Sequence, residues 1–113
     1  MSNVTRSESK NDEKALEYEV AHLLSLAQLT PNMALSITKL DLFRCNLSFL
    51  PKVLPEICPQ LKILFLMENK FTQMPAVLGS IPRLEMISFK SNALRTIHPD
   101  ALQPQLRWLI LTN

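Results

Sequence analysis

LKILFLMENKF, residues 61–71, contains the pattern that decides the fold of this 113-residue chain. The same skeleton precedes it as ITKLDLFRCNL at 37–47 and follows it as LEMISFKSNAL at 84–94, while LRWLILTN at 106–113 begins a fourth copy. Each full copy has apolar residues at positions 1, 4, 6 and 11 and Cys or Asn at position 9. Because 47% of the chain is apolar, twelve such positions would all be apolar by chance about once in ten thousand trials. The repeat is therefore a structural signal.

The spacing within a copy predicts a short strand followed by a bend. Positions 4 and 6, such as Leu64 and Leu66, point the same way from a strand, so we expect them to enter one core. Position 9 lies where the backbone leaves the sheet, and the amides of Asn69 and Asn92 can pair the groups freed there. Prolines then limit the returning segments to single helical turns. These prolines are Pro51, Pro55, Pro59, Pro75, Pro82, Pro99 and Pro104.

Copies that start at residues 37, 61, 84 and 106 have the 20–29-residue period of a stacked repeat array. The sequence therefore predicts an α/β solenoid over 37–113, with three full repeats, a truncated fourth, and parallel strands on its concave face. We expect the array to have one further element before it. Residues 14–30 contain neither Pro nor Gly, and their apolar residues fall on one helical face, which predicts a helix that caps the N-terminal edge. These residues are Leu16, Val20, Leu23, Leu24 and Ala27.

Two other uses of that helix are a partner-binding role and a membrane-surface role, and its glutamates disfavour the second. Residues 1–13 are polar, and their composition predicts a disordered tail. They lack the features of a secretion signal, so the expected compartment is the cytoplasm, with Cys45 and Cys58 as thiols.

Composition and motifs argue against several classes of function. The 12 basic and 10 acidic residues form no basic face with interleaved aromatics, so we expect no nucleic-acid partner. No apolar run is long enough for a membrane span. With Gly79 as its single glycine, the chain lacks a phosphate-binding glycine loop. His22 and His98 lie in unrelated segments, and the two cysteines have no histidine nearby. We therefore predict no enzyme, no catalytic residue, no cofactor and no metal.

The residues that flank and separate the two core positions of each strand predict a binding surface. Twelve of them should face the concave side, and seven of these are apolar, whereas a merely solvated face would be mostly polar. We predict that a protein partner or an adjoining domain of the same protein contacts eight residues here. They are Phe43, Ile63, Phe65, Met67, Met86, Lys90, Trp108 and Ile110.

The unfinished fourth copy predicts an uncovered strand edge. Leu106, Leu109 and Leu111 would present an apolar patch with no further repeat below it. Two explanations remain open: either the chain is a fragment of a longer protein, or self-association or another chain covers this end.

From Ile37 onward the chain resembles the leucine-rich repeat family, in the form with Leu-Pro bends that is typical of intracellular members. Residues 84–112, LEMISFKSNALRTIHPDALQPQLRWLILT, are also similar to a segment of proteins in which a short repeat array precedes a serine/threonine-type kinase domain. The family resemblance implies a protein-binding module that uses its concave face. The narrower similarity implies an alternative, the N-terminal recognition arm of a longer leucine-rich repeat kinase. No kinase motif occurs in this chain, so catalysis does not carry over.

Overall fold

The structure, a computed structural model, describes the backbone of residues 2–112 and the side chains of residues 13–112. The fold is α/β, as predicted, with short parallel strands and helical segments alternating after a long first helix. The elements are α1 (Ser2–Leu26), α2 (Pro31–Ala34), β1 (Lys39–Asp41), α3 (Leu54–Ile57), β2 (Ile63–Phe65), β3 (Gln73–Met74), a first 3₁₀ helix (Ala76–Ser80), β4 (Met86–Ser88), β5 (Thr96–Ile97), a second 3₁₀ helix (Pro99–Ala101) and β6 (Trp108–Ile110).

The main sheet contains four parallel strands in the order β1-β2-β4-β6, which confirms the predicted parallel pairing. Its register places Leu40 beside Leu64, Leu64 beside Ile87 and Ile87 beside Leu109. Each of these residues occupies position 4 of its copy, so the repeat sets the register. The sequence did not predict a second sheet, in which β3 and β5 pair in parallel through Gln73–Thr96 and Met74–Ile97.

The core lies between the main sheet and the returning helical segments. Positions 4 and 6 of the three full copies are buried, with exposed fractions of 0–2%. These residues are Leu40, Leu42, Leu64, Leu66, Ile87 and Phe89. From the other side come Leu54 and Leu78, both fully buried. Burying one such side chain contributes about 1.5–3 kcal/mol, so a column of them is the main source of stability.

Two buried asparagines hold the bends that follow β2 and β4. The Nδ2 amide of Asn69 donates to the Leu42 carbonyl in the preceding copy at 2.8 Å, and its Oδ1 accepts the Leu47 N–H at 2.9 Å. Asn92 makes the equivalent donation to the Leu66 carbonyl, also at 2.8 Å. No buried side-chain nitrogen or oxygen in residues 13–112 lacks a hydrogen-bond partner. The role predicted for the two asparagines is confirmed.

A left-handed residue precedes position 9 in every full copy. The φ angles of Arg44, Glu68 and Ser91 are 52°, 55° and 60°. This backbone conformation costs a non-glycine residue about 1–2 kcal/mol, so its recurrence indicates that the bend requires it. The sequence did not reveal this requirement, because none of the three residues is a glycine.

Helix α1 differs from the predicted helix at both ends. It ends at Leu26, because Gln28 adopts φ 57° and the Leu29 N–H bonds back to the Leu24 carbonyl at 2.9 Å. This is a Schellman-type C-terminus. The helix begins at Ser2, earlier than the predicted residue 14, and no Pro or Gly interrupts it. The predicted disorder concerns residues whose side chains, up to residue 12, lie outside the described part, and it stays a prediction.

The last two turns of α1 join the core. Leu23 and Leu24 are 3% and 7% exposed, and Val20 and Ala27 pack against the same cluster. Four of the five residues of the predicted amphipathic face, all but Leu16, therefore belong to the core or pack against it. Within the described residues, no helix is long and apolar enough to cross a membrane.

Candidate binding face of the main sheet

The strands place twelve side chains on the face of the main sheet opposite the core, which we call the outer sheet face. Strand register aligns two rows of them, the first passing through Ile63 and Met86 and the second through Phe65 and Ser88. The rows are Lys39, Ile63, Met86, Trp108 and Asp41, Phe65, Ser88, Ile110. A third row is Phe43, Met67, Lys90, Thr112, and backbone bonds that continue beyond the strands align it. Neighbouring strands lie about 4.8 Å apart, so side chains within a row touch.

All eight residues of the predicted binding site lie on this outer sheet face. At its edges, Phe43 and Trp108 are 45% and 56% exposed. The residues between them are half-buried because their neighbours shield them, whereas Lys90 is exposed. These half-buried residues are Ile63, Phe65, Met67, Met86 and Ile110. The structure thus places the eight predicted residues on one face of the sheet, with the exposed aromatic residues Phe43 and Trp108 at its edges.

Two cations contact aromatic rings at one side of this face. Lys39 Nζ lies 5.1 Å from the centroid of the Phe65 ring, and Arg44 Cζ lies 5.1 Å from that of Phe43. Arg44 also pairs with Glu68 at 3.0 Å, an exposed pair that contributes at most about 1 kcal/mol. The predicted site omitted Lys39 and Arg44. A signal existed for Lys39, because diagonal neighbours on adjacent strands are within reach of long side chains.

Ser88 faces away from the core but is only 4% exposed, so it is not the solvent-facing position that the sequence indicated. Its small side chain lies between the larger Phe65 and Ile110 in the second row, and they cover it. The Ser88 Oγ accepts the Lys90 N–H at 3.4 Å, and the Asp41 Oδ1, in the same row on β1, accepts the Phe43 N–H at 3.1 Å. Both side chains therefore help to end their strands.

The two cysteines are free thiols without the properties of a nucleophile. Burial raises the pKa of the Cys58 thiol to about 11. Burial, and to a lesser extent the charge of Asp41, raises the pKa of Cys45. Both thiols are therefore protonated at neutral pH, whereas reactive cysteines are thiolates. In the described part of the chain, no group of three or more His, Cys, Asp or Glu side chains is arranged to hold a metal ion.

Seven of the twelve side chains on the outer sheet face are apolar. The charged residues Lys39, Asp41 and Lys90 are exposed beside these apolar side chains, and the Lys39 ammonium lies against the Phe65 ring. No family model, curated protein or solved structure matches this chain. The function is therefore inferred from the geometry of the outer sheet face.

Proposed function

We propose that this protein is a leucine-rich repeat solenoid that binds a protein partner through its outer sheet face. The observation that carries the proposal is the alignment of seven apolar side chains on one exposed face, with Phe43 and Trp108 at its edges. Exposed apolar surface of this kind marks interaction sites, and Trp is enriched among the residues that dominate binding energy.

Three structural regularities support the repeat assignment. Each copy contributes one strand at the same register position, as Leu64 and Ile87 do. The amides of Asn69 and Asn92 bridge neighbouring copies, and a left-handed residue precedes each of them. In this proposal α1 is the N-terminal cap, and its buried Leu23 and Leu24 cover the end of the core.

Lys90 gives the proposed partner a chemical character. Its side chain is exposed beside the apolar centre, and it makes no ion pair with any residue from 13 to 112. A partner with a carboxylate next to its apolar anchor would satisfy both features. Charged groups at the rim of an interface contribute chiefly to association rate and specificity.

The cytoplasm is the compartment that fits this proposal. Cys45 and Cys58 are both unpaired thiols, as expected in a reducing environment. Fractionation of cells with an antibody against the chain tests the assignment, and recovery in the secreted fraction would reject it.

The experiment that tests binding replaces Phe65 and Trp108 with Asp. The two carboxylates would place charge inside the interface, so capture of partner proteins from cell extracts should be lost while the circular dichroism spectrum stays unchanged. The matched control carries Thr72→Asp and Ser80→Asp, two exposed residues away from the face, and should capture the same proteins as the wild type. Equal capture by both double variants would reject the proposal.

Two further predictions concern the surroundings of this face. The role as an arm of a longer repeat-containing kinase is decided by the coding DNA after codon 113, where an immediate stop codon would reject it. Self-association through β6 predicts dimers in light scattering, and a monodisperse monomer at high concentration would reject it.

A further inference from the structure

A cavity of about 320 Å³ lies between α1 and the segment that follows the first bend. This volume is at the lower end of the range for small-ligand sites, about 300–1,000 Å³. Helix α1 contributes Ala15, Tyr18, Glu19 and His22, which share one helical face, and Phe49 lies in the opposing segment. None of these residues belongs to the outer sheet face, so the cavity is a separate site.

Aromatic rings are concentrated around this cavity. Tyr18 and Phe49 line it although they are 73% and 54% exposed. The rings of Tyr18 and His22 are stacked, with centroids 6.1 Å apart and planes 5° from parallel. Phe, Trp and Tyr make up only 6% of the chain, so two such rings, Tyr18 and Phe49, among eight lining residues are a local enrichment, and the His22 ring adds a third. Ring faces carry partial negative charge and attract cations.

The charge of the cavity also favours a cation. Glu19 is its single acidic residue, and it has no ion-pair partner among residues 13–112. The described part of α1 carries three glutamates, Glu13, Glu17 and Glu19, against one lysine, Lys14. Lys52, on the opposing segment, lines a neighbouring pocket together with Glu19 and offsets part of this charge. A phosphate placed beside the Glu19 carboxylate would be repelled, which opposes a ligand with a phosphate beside its cation, such as a phospholipid headgroup.

The apolar walls select the type of cation. They are almost entirely carbon, with contributions from Leu23, Leu47 and Pro51. A primary ammonium or a guanidinium would lose hydrogen bonds to water on entering, because the walls offer few acceptors. A quaternary ammonium has no N–H group to leave unpaired. We propose that this cavity binds the trimethylammonium group of a methylated lysine side chain on a protein partner.

The test is an NMR titration of the ¹⁵N-labelled protein with N-acetyl-trimethyllysine methylamide. Saturable shifts of the Ala15, Tyr18 and Phe49 amides are expected. Two control ligands are the unmethylated lysine analogue and the neutral analogue with carbon in place of the quaternary nitrogen. The neutral analogue should bind about two- to fivefold more weakly, the factor that corresponds to one cation–π contact. The unmethylated analogue should also bind more weakly, because its N–H groups lose hydrogen bonds to water. Equal binding of the neutral analogue would make this a purely apolar site and overturn the proposal, as would the absence of saturable shifts.

Variants locate the interaction within the cavity. Tyr18→Leu keeps an apolar wall but removes a ring, and Glu19→Gln removes the charge, so each should weaken binding about two- to fivefold. The matched control is Glu56→Gln, because Glu56 lies in α3 and lines a different pocket on the other side of α1. This variant should bind as the wild type does. All three residues are at least partly exposed, and thermal melting checks that folding is unchanged. Equal loss in Glu56→Gln would overturn the assignment of the site.

Two further measurements distinguish binding in this cavity from binding elsewhere or to other ligands. Phosphatidylcholine vesicles present the same cation beside a phosphate, and they should not shift the Ala15 or Phe49 amides. Shifts with the vesicles that exceed those with trimethyllysine would overturn the choice of a protein side chain. The variant Phe65→Asp should bind trimethyllysine normally, because the cavity is independent of the outer sheet face.

Discussion

The two faces of the main sheet obey different rules. The inner face repeats the same kind of residue in every full copy, and Leu40, Leu64 and Ile87 are all at most 2% exposed. The outer face varies from strand to strand, so that Lys39, Ile63 and Met86 share one row. The comparison teaches that the repeat specifies the fold through the inner residues and leaves the outer ones free to carry recognition.

The largest expected effect comes from substituting adjacent residues on the two faces of β2. Leu64→Ala should lower the free energy of unfolding by about 2–5 kcal/mol, because it leaves a cavity in the core. Ile63→Ala is its matched control on the outer face and should cost about 1 kcal/mol or less, since Ile63 is only half-buried. Urea denaturation measures both. Equal losses would contradict the division between the faces.

The next effect concerns the bend. Asn69→Ala should cost about 3 kcal/mol, because the Leu42 carbonyl and the Cys45 and Leu47 N–H groups lose their partner inside the protein. Asn32→Ala, at an exposed position in α2, should change stability by less than about 0.5 kcal/mol. A small effect at Asn69, measured by thermal unfolding, would mean that water reaches these groups.

Close packing also occurs in the returning segments, where the backbone of Gly79 lies against the next copy. A Cβ atom on Gly79 would lie 1.6 Å from the Asp100 carbonyl oxygen, so the backbone must shift to accept Gly79→Ala. We expect a loss of about 1–3 kcal/mol. The neighbouring Ser80→Ala is exposed and should be nearly neutral. Calorimetry compares the two, and an unchanged melting temperature for Gly79→Ala would contradict this packing.

The smallest effect is a gain in stability. Ser91 is exposed and holds φ 60°, so Ser91→Gly should stabilise the protein by about 0.5–1 kcal/mol, as a glycine adopts this conformation without strain. Ser48 is also exposed but has no positive φ, and Ser48→Gly should destabilise slightly. The same sign for both variants in chemical denaturation would contradict the bend requirement.

The sequence predicted the strands and their parallel pairing because every copy has apolar residues at the same positions. These positions pair with one another when the copies stack. Leu64 pairs with Ile87 since both hold position 4, so no distant contact had to be guessed. The same register places the eight predicted site residues on one face of the sheet. The asparagine bridges followed from the chemistry of the amide at a bend.

Features that do not involve positions 1, 4, 6, 9 and 11 of the copies could not be predicted in the same way. The pairing of β3 with β5 involves two residues per strand and depends on how the copies stack. The burial of Ser88 depends on its neighbours in adjacent strands, which a single copy does not specify. The cavity beside Tyr18 depends on how α1 docks against the segment containing Phe49, and no repeat position encodes that docking.

The central claim is that the outer sheet face binds a protein, and site-specific photo-crosslinking tests it most directly. A benzophenone amino acid replaces Phe43 in one variant and Trp108 in another, at the two exposed edges of the face. A third variant carries it at Thr72, away from the face. In extracts of the cells that make the protein, the account predicts that the two face positions crosslink to the same protein and Thr72 does not. Crosslinks at Thr72 alone, or none at either edge, would contradict it.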